Sequence, residues 1–234
     1  MSLPKISIII PAYNEEQGIA NTLRAVCDLD YPNFEVIVVD NNSTDKTQEI
    51  AKKYPVKIVY EERKGLLYAR ECGRINASGD IIANLDADCL PEKDWLSKCA
   101  LLFSDPKVVA VSGPYDYFDG SPFFRNFSLF IQKYIYSAMN KILSISKRGG
   151  ILIGGNNMIR ASVLDEIGGY NTDILFYGED TDTAKRVSQK GKIIFNKSNT
   201  MKTSARRFKA EGTFKISVLY LFHFFKVIFS RNNR

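Results

Sequence analysis

"GDIIANLDAD", residues 79–88, decides how this chain is to be read. Its first part is an apolar run of the kind that fills a buried strand. Its end carries two carboxylates, Asp86 and Asp88, one residue apart. Positions i and i+2 of a strand share a face, so extended geometry kept as far as Asp88 brings the two together. Close carboxylates repel and raise each other's pKa unless a cation lies between them. Mg²⁺ and Mn²⁺ favour such oxygens. In the plainer reading, Asp88 caps a helix starting near Pro91 and Asp86 is solvated.

Upstream, strand-like and helix-like runs alternate. "KISIIIP" (5–11), "FEVIVVD" (34–40) and "VKIVYEE" (56–62) read as strands; 15–29, 43–54 and 65–78 carry helical spacing. With 79–88 as a fourth strand, this β–α rhythm predicts a mostly parallel sheet covered by helices on both faces. Ligands of such sheets bind outside the carboxyl ends of the strands. The residues at those ends are 11–15, Asp40, and Asp86 with Asp88.

Downstream the pattern is less regular. It predicts a strand over 107–118, an aromatic-rich helix over 121–145 that is long or broken, and a Gly-rich turn, strand and helix within 149–170. A helix with an acidic first turn over 178–191 and a strand over 192–198 follow. We expect one catalytic domain over 1–210 and a basic, aromatic C-terminal amphipathic helix within 211–234.

Charge divides the same way. Lys185 to Arg234 holds thirteen Lys/Arg and one acid, Glu211, although the whole chain is only +6. An acidic body with a basic tail suits an anionic partner for the tail. From Ile216 to Phe229 the only charge is Lys226, a stretch too short for a spanning helix of about twenty residues. It fits either a helix in the membrane interface, giving peripheral contact through 213–231, or one packed on the body or on a second subunit of a homo-oligomer. Four scattered cysteines, with no C-x-x-C pair, match neither a zinc site nor a disulfide framework. The N-terminus carries no signal-peptide pattern. These features predict a cytoplasmic protein, peripheral to the inner face of the cell membrane where the interface reading of the tail holds. Nucleic acid is not expected, because no recognised module accompanies the basic residues.

Several side chains are candidates for chemistry. Asp40 ends a buried strand beside "NNSTDKT", where Ser43 and Asp45 are already available as helix caps, so Asp40 is free for a base or a ribose. In "PAYNEE" (11–16), Glu15 and Glu16 suit a helix first turn electrostatically. "GED" (178–180) offers Glu179 and Asp180 as a general base, or simply as acids at a helix start; the sequence does not rank the two. In "SARRF" one of Arg206 and Arg207 is a candidate to hold a diphosphate; the other reading makes both part of the basic tail. His223, the only histidine, reads as packing. The chain therefore lacks a Ser-His-Asp or Cys-His system, and neither a dinucleotide fingerprint nor a P-loop is present.

In this order, "SIIIPAYNEE", "VIVVDNNSTDKT", "LDAD", "GGNNMIRASVLDEIGGY" and "GEDTDTAKR" resemble the family 2 glycosyltransferases over about residues 5–208. The resemblance implies the GT-A fold, a Rossmann-like α/β/α sandwich with a mostly parallel central sheet. It implies an inverting, metal-dependent transfer of a sugar from a UDP- or GDP-sugar to an acceptor hydroxyl, here a lipid-linked or cell-surface glycan precursor. Asp180 would be the base, with Glu179 beside it. Asp88 and Asp86 would hold Mg²⁺ or Mn²⁺. Pro11, Tyr13, Glu15, Asp40, Asn42, Asp86, Ala87 and Arg206 would line the nucleotide-sugar site, and Asn156 and Arg160 would be structural. The Gln-x-x-Arg-Trp motif of processive members is missing, which favours transfer of one sugar. Two other classes compete: a non-catalytic nucleotide-sugar-binding subunit, and a sugar-phosphate nucleotidyltransferase, whose usual Gly-rich phosphate loop is absent after the first strand.

Overall fold

The computed structural model describes residues 3–146, 148–174 and 177–230. Strand β1 (Ile6–Ala12) leads to helix α1 (Ile19–Cys27), β2 (Phe34–Asp40), α2 (Thr47–Ala51), β3 (Lys57–Tyr60), α3 (Leu66–Ile75) and β4 (Ile81–Asn84). After α4 (Trp95–Ala100) come β5 (Val108–Ser112) and β6 (Tyr115–Tyr117). Helices α5 (Pro122–Phe130) and α6 (Ser137–Ile145) flank a π-helical segment, Ile131–Tyr136. The chain continues through β7 (Asn157–Arg160), α7 (Ala161–Glu166), α8 (Glu179–Val187), β8 (Lys192–Phe195), β9 (Met201–Thr203), α9 (Arg206–Glu211) and α10 (Thr213–Phe229).

Seven strands form one sheet in the order β3-β2-β1-β4-β7-β5-β8. Only β7 runs against its neighbours β4 and β5; the other pairings are parallel. The reason β1 reads as an unbroken apolar run is visible in its packing. Ile6, Ile8 and Ile10 enter the cluster with α1 and Trp95, while Ile9 enters the opposite cluster with α3, α7 and α8. A strand covered on both faces has no polar side to show.

The alternation predicted for the first half is what forms, with shorter elements. Three differences bear on function. The fourth strand does not reach Asp88: pairing with β7 ends at Asn84, and the Cys89 N–H donates to the Asp86 carbonyl at 3.0 Å. Asp86 and Asp88 therefore lie on a turn, so strand alternation is not what relates them. Glu15 and Glu16 do not enter a helix first turn, because α1 starts at Ile19; their side chains are used elsewhere. The strand predicted over 107–118 is two strands in two sheets. Pro114, which has no N–H for a ladder, separates β5 from β6, and β6 pairs with the unforeseen β9. The 121–145 helix is long, with its Ser121 side chain capping the Phe124 N–H at 3.3 Å and proline at the first turn. It continues through the π segment to Ile145.

Candidate active site

The loops after β1 and β2 are stitched into one edge. The Asn14 N–H donates to Ser43 Oγ at 3.1 Å, the Thr44 N–H to Asn14 Oδ1 at 2.8 Å, and the Glu15 N–H to Thr47 Oγ1 at 2.7 Å. Glu16 Oε2 accepts the Lys46 N–H at 3.1 Å. Asp40 is buried at the end of β2 and accepts the Ser43 N–H at 3.2 Å, while α2 takes its side-chain bond from Asp45 to the Thr47 N–H. Asn42 has φ of +63°, a conformation Asn tolerates better than most residues. Pro11 pairs with Val39 inside the sheet, and Tyr13 stands exposed with the Lys64 ammonium 4.8 Å above its ring. These residues share one crevice edge over β1 and β2.

A second group forms across the sheet around a residue not singled out in the sequence. Arg70, on the buried face of α3, is 2% exposed. Its Nη1 donates to Asp180 Oδ1 at 3.1 Å and its Nη2 to Asp86 Oδ1 at 3.3 Å. One guanidinium thus ties the turn after β4 to the first turn of α8. The other oxygen of Asp86 accepts from the Tyr115 hydroxyl at 2.9 Å, and that hydroxyl accepts the Gly155 N–H at 2.6 Å. The "GG" at 154–155 is small for a reason: a Cβ at Gly155 would lie 2.5 Å from Asp86 Cγ, and one at Gly154 would lie 2.8 Å from Arg70 Nη2. Arg70 and Tyr115 carried little signal in the sequence. Their partners are 16 and 110 residues away for Arg70, and 29 and 40 for Tyr115.

Asp88 belongs to a third cluster. Arg206, at the start of α9, donates to Glu15 Oε2 at 2.8 Å, touches Glu15 Oε1 as well, and sets its Nε 3.2 Å from Asp88 Oδ2. The structure therefore gathers Glu15, Asp86, Asp88, Asp180 and Arg206 at the carboxyl end of the sheet. Ala87 is buried between the two aspartates, its carbonyl taking the Thr22 hydroxyl at 2.7 Å. Glu179 lies beside Asp180 but is buried, with Oε2 lacking a hydrogen-bond partner among the described residues. Asn156 and Arg160 are structural in their contacts. Asn156 accepts from Trp95 Nε1 at 3.0 Å, and Arg160 donates to the Val108 carbonyl at 2.8 Å and the Phe103 carbonyl at 2.6 Å.

The electrostatics follow from this crowding. Burial and the neighbouring Asp86 push the Asp88 carboxyl up to about 6; Glu15 adds to the rise, and Arg206 opposes it. Burial raises Asp180 well above the ordinary carboxylate range, Arg70 pulls it down, and Glu179 and Asp86 push it up. A buried base raised in this way is close to the neutral range, where it is both ionised and able to take a proton. Arg70→Met is expected to move the acidic limb of the kcat/KM profile to higher pH. The base must be ionised to work, and the substitution removes the one cation that holds its pKa down; a pH profile of the variant checks this. Because two carboxylates then lose a buried partner, the variant should also lose about 3 kcal/mol of stability, read by denaturant unfolding.

The donor set suits a hard divalent cation. At Asp88, burial and the neighbouring carboxylates outweigh Arg206, and Asp86 sits two positions away with its oxygens held by Arg70 and Tyr115. No group of three or more His, Cys, Asp or Glu among the described residues is arranged to hold a metal. Mg²⁺-type sites of this kind use one or two carboxylates and take their remaining oxygens from substrate phosphates and water.

Residues 7–168 match the model of glycosyl transferase family 2. The chain belongs to that family. "Glycosyltransferase AglE" of Haloferax volcanii is 32% identical over 199 residues, covering 81% of this chain and 63% of that protein. "Probable glycosyltransferase YdaM" of Bacillus subtilis is 33% identical over 209 residues, covering 81% and 48%. The chain thus spans roughly half to two thirds of these relatives. The mannosyltransferase PcManGT of Pyrobaculum calidifontis, solved with GDP-Man and Mn²⁺, superposes with a TM-score of 0.75 at 26% identity, covering 99% of this chain and 66% of that one. The family 2 resemblance and the GT-A architecture read from the five motifs are therefore both found.

Proposed function

We propose that this family 2 chain moves a single sugar from a UDP- or GDP-sugar to an acceptor hydroxyl, with inversion at the anomeric carbon. The observation that carries this reading is the Arg70 bridge between Asp86 and Asp180. It holds a carboxylate with a raised pKa and ties it through one guanidinium to the turn that bears Asp88.

In this reading Asp40, Asn42, Pro11 and Tyr13 border the nucleoside. Asp88, with Asp86 beside it, would hold a divalent cation, which would supply Lewis-acid neutralisation of charge on the leaving diphosphate. Arg206 exchanges its carboxylate partners for phosphate oxygens, to which a guanidinium binds bidentately. Asp180 takes the proton of the acceptor hydroxyl as that oxygen attacks, and Arg70 keeps the carboxylate aimed. A single displacement inverts the centre. The Mn²⁺ and GDP-Man in the Pyrobaculum structure support the donor and metal assignments. The acceptor that suits the exposed apolar elements beside α8 is a lipid-linked glycan precursor.

The test is donor turnover. The purified chain, given Mn²⁺ or Mg²⁺ and a panel of UDP- and GDP-sugars, should release nucleoside diphosphate from one donor and stop when the metal is chelated. Release of pyrophosphate from a nucleoside triphosphate would instead favour the nucleotidyltransferase. Neither turnover nor metal-dependent donor binding would leave the non-catalytic subunit.

A further inference from the structure

Helix α10 has the composition of a core helix and the exposure of a surface one. Of its seventeen residues only Ile216 and Ile228 are buried, and Phe214, Phe222 and Phe229 are 84%, 62% and 70% exposed. It is nevertheless docked along one edge. The Lys185 ammonium donates to the carbonyls of Val227 and Ser230 at 3.0 and 2.6 Å. Val227 and His223 pack over Gly178, two residues before Asp180.

A second exposed apolar row lies on the α5–α6 unit. Phe123, Phe127, Phe130 and Tyr134 follow one another at intervals of four, three and four, the spacing of one helix face, and all are exposed. Ile142 and Ile145 extend the exposed apolar surface toward its end. The unit and α10 are connected through intervening residues at both ends. At one, the Phe124 ring is 5.1 Å from Phe208, which is 6.3 Å from Tyr220 of α10. At the other, Ile228 packs over Gly149, just beyond α6. The two elements are thus linked through α9 at one end and through the segment after α6 at the other.

The excess positive charge is in the same segments. Residues 121–155 and 201–234 together hold thirteen Lys/Arg and the single acid Glu211, whereas the rest of the chain holds nineteen Lys/Arg and twenty-five acids.

We propose that α5–α6 and α10 form one docking surface for the interface of an anionic bilayer. Exposed aromatic and aliphatic side chains in this number are uncommon on a monomer that meets only water. Aromatic side chains interleaved with Lys and Arg match the boundary between acyl chains and anionic headgroups. At about 1.5 Å per residue, α10 is about 25 Å long, short of the roughly 30 Å hydrocarbon core. Among the described residues no helix is long and apolar enough to cross a membrane. A second copy of this chain fits less well. A two-fold interface would set the same patch against itself, bringing together two copies of segments that carry excess positive charge in sequence. This surface goes beyond the sugar-transfer reading and stands without it.

The test is vesicle flotation of the full chain. Binding is expected on phosphatidylcholine vesicles doped with phosphatidylglycerol, with much less on phosphatidylcholine alone and weakening with added salt. Two double variants, Phe127→Ser with Phe130→Ser and Phe222→Ser with Phe229→Ser, should each lower the bound fraction at least tenfold. Both should keep the wild-type melting temperature and the wild-type rate of nucleoside diphosphate release in solution. Full binding by the α5 variant would overturn the shared surface, and absence of vesicle binding by the wild type would overturn the proposal. A concentration-dependent dimer in sedimentation, lost in both variants, would assign the face to a second copy. None of these outcomes alters the donor-turnover result, so the two readings fail separately.

Discussion

Asp180→Asn is expected to lower kcat for sugar transfer about 10³-fold, within the range that a general base supplies, while donor affinity changes little. The amide keeps the shape of the carboxylate but cannot take the acceptor proton. Asp180 lies across Arg70 from the Asp86 turn, so the nucleotide edge formed by Asp40 and Tyr13 is untouched. The pH profile gives a second readout. Because the pKa of Asp180 is raised well above the ordinary carboxylate range, wild-type activity should fall as pH drops below neutrality, and that limb should vanish in the variant. Single-turnover rates and donor calorimetry on the same samples check both parts. A loss smaller than tenfold would move the role of base to another group, Glu179 first.

Asp88→Ala should cost as much by a different route. Without the carboxylate that takes the cation, donor binding should lose its dependence on Mn²⁺ or Mg²⁺, and kcat/KM should fall at least about 10³-fold, roughly 4 kcal/mol of transition-state stabilisation. Stability should move the other way. In the metal-free fold, burial together with Asp86 and Glu15 disfavours the charged form of Asp88, whose carboxyl is pushed up to about 6. A carboxylate with a raised folded-state pKa opposes folding as pH climbs from its unfolded-state pKa, and the penalty is complete above the folded-state value. Above about pH 6 the metal-free variant should therefore melt at the same temperature as wild type or higher, measured by calorimetry with chelator present. Lower activity with undiminished stability would separate a functional carboxylate from a helix cap. Removing a cap costs about 1 kcal/mol.

How far these roles could be read in advance depended on where each residue finds its partners. Asp40 and Asp88 announce themselves because a charge at the end of an apolar run is visible locally. The turn at 86–88 was harder: extended geometry to Asp88 gave the right neighbourhood for the wrong reason, since β4 stops at Asn84, where its antiparallel partner β7 stops pairing. Glu15 looked like a helix-start acid until α1 was found to begin four residues later, leaving Glu15 for Arg206. Arg70 was hidden inside an ordinary amphipathic helix. A single arginine among Leu67, Ala69 and Gly73 becomes informative only when two carboxylates are known to reach it. Tyr115 was hidden by the strand reading over 107–118, which broke at Pro114 into two sheets.

By itself the sequence determined the order of strands and helices in the first half, the burial of β1, β2 and β4, and the family to which the chain belongs. Each of these is written in local spacing, and the parallel βα rhythm admits few topologies. Only the tertiary structure decided which side chains meet: Arg70 with Asp86 and Asp180, Arg206 with Glu15 and Asp88, and Lys185 of α8 with the end of α10. Those contacts join residues up to 191 positions apart. Their energies depend on shared burial and close charge pairing, and neither of these is defined until the sheet has brought the loops together.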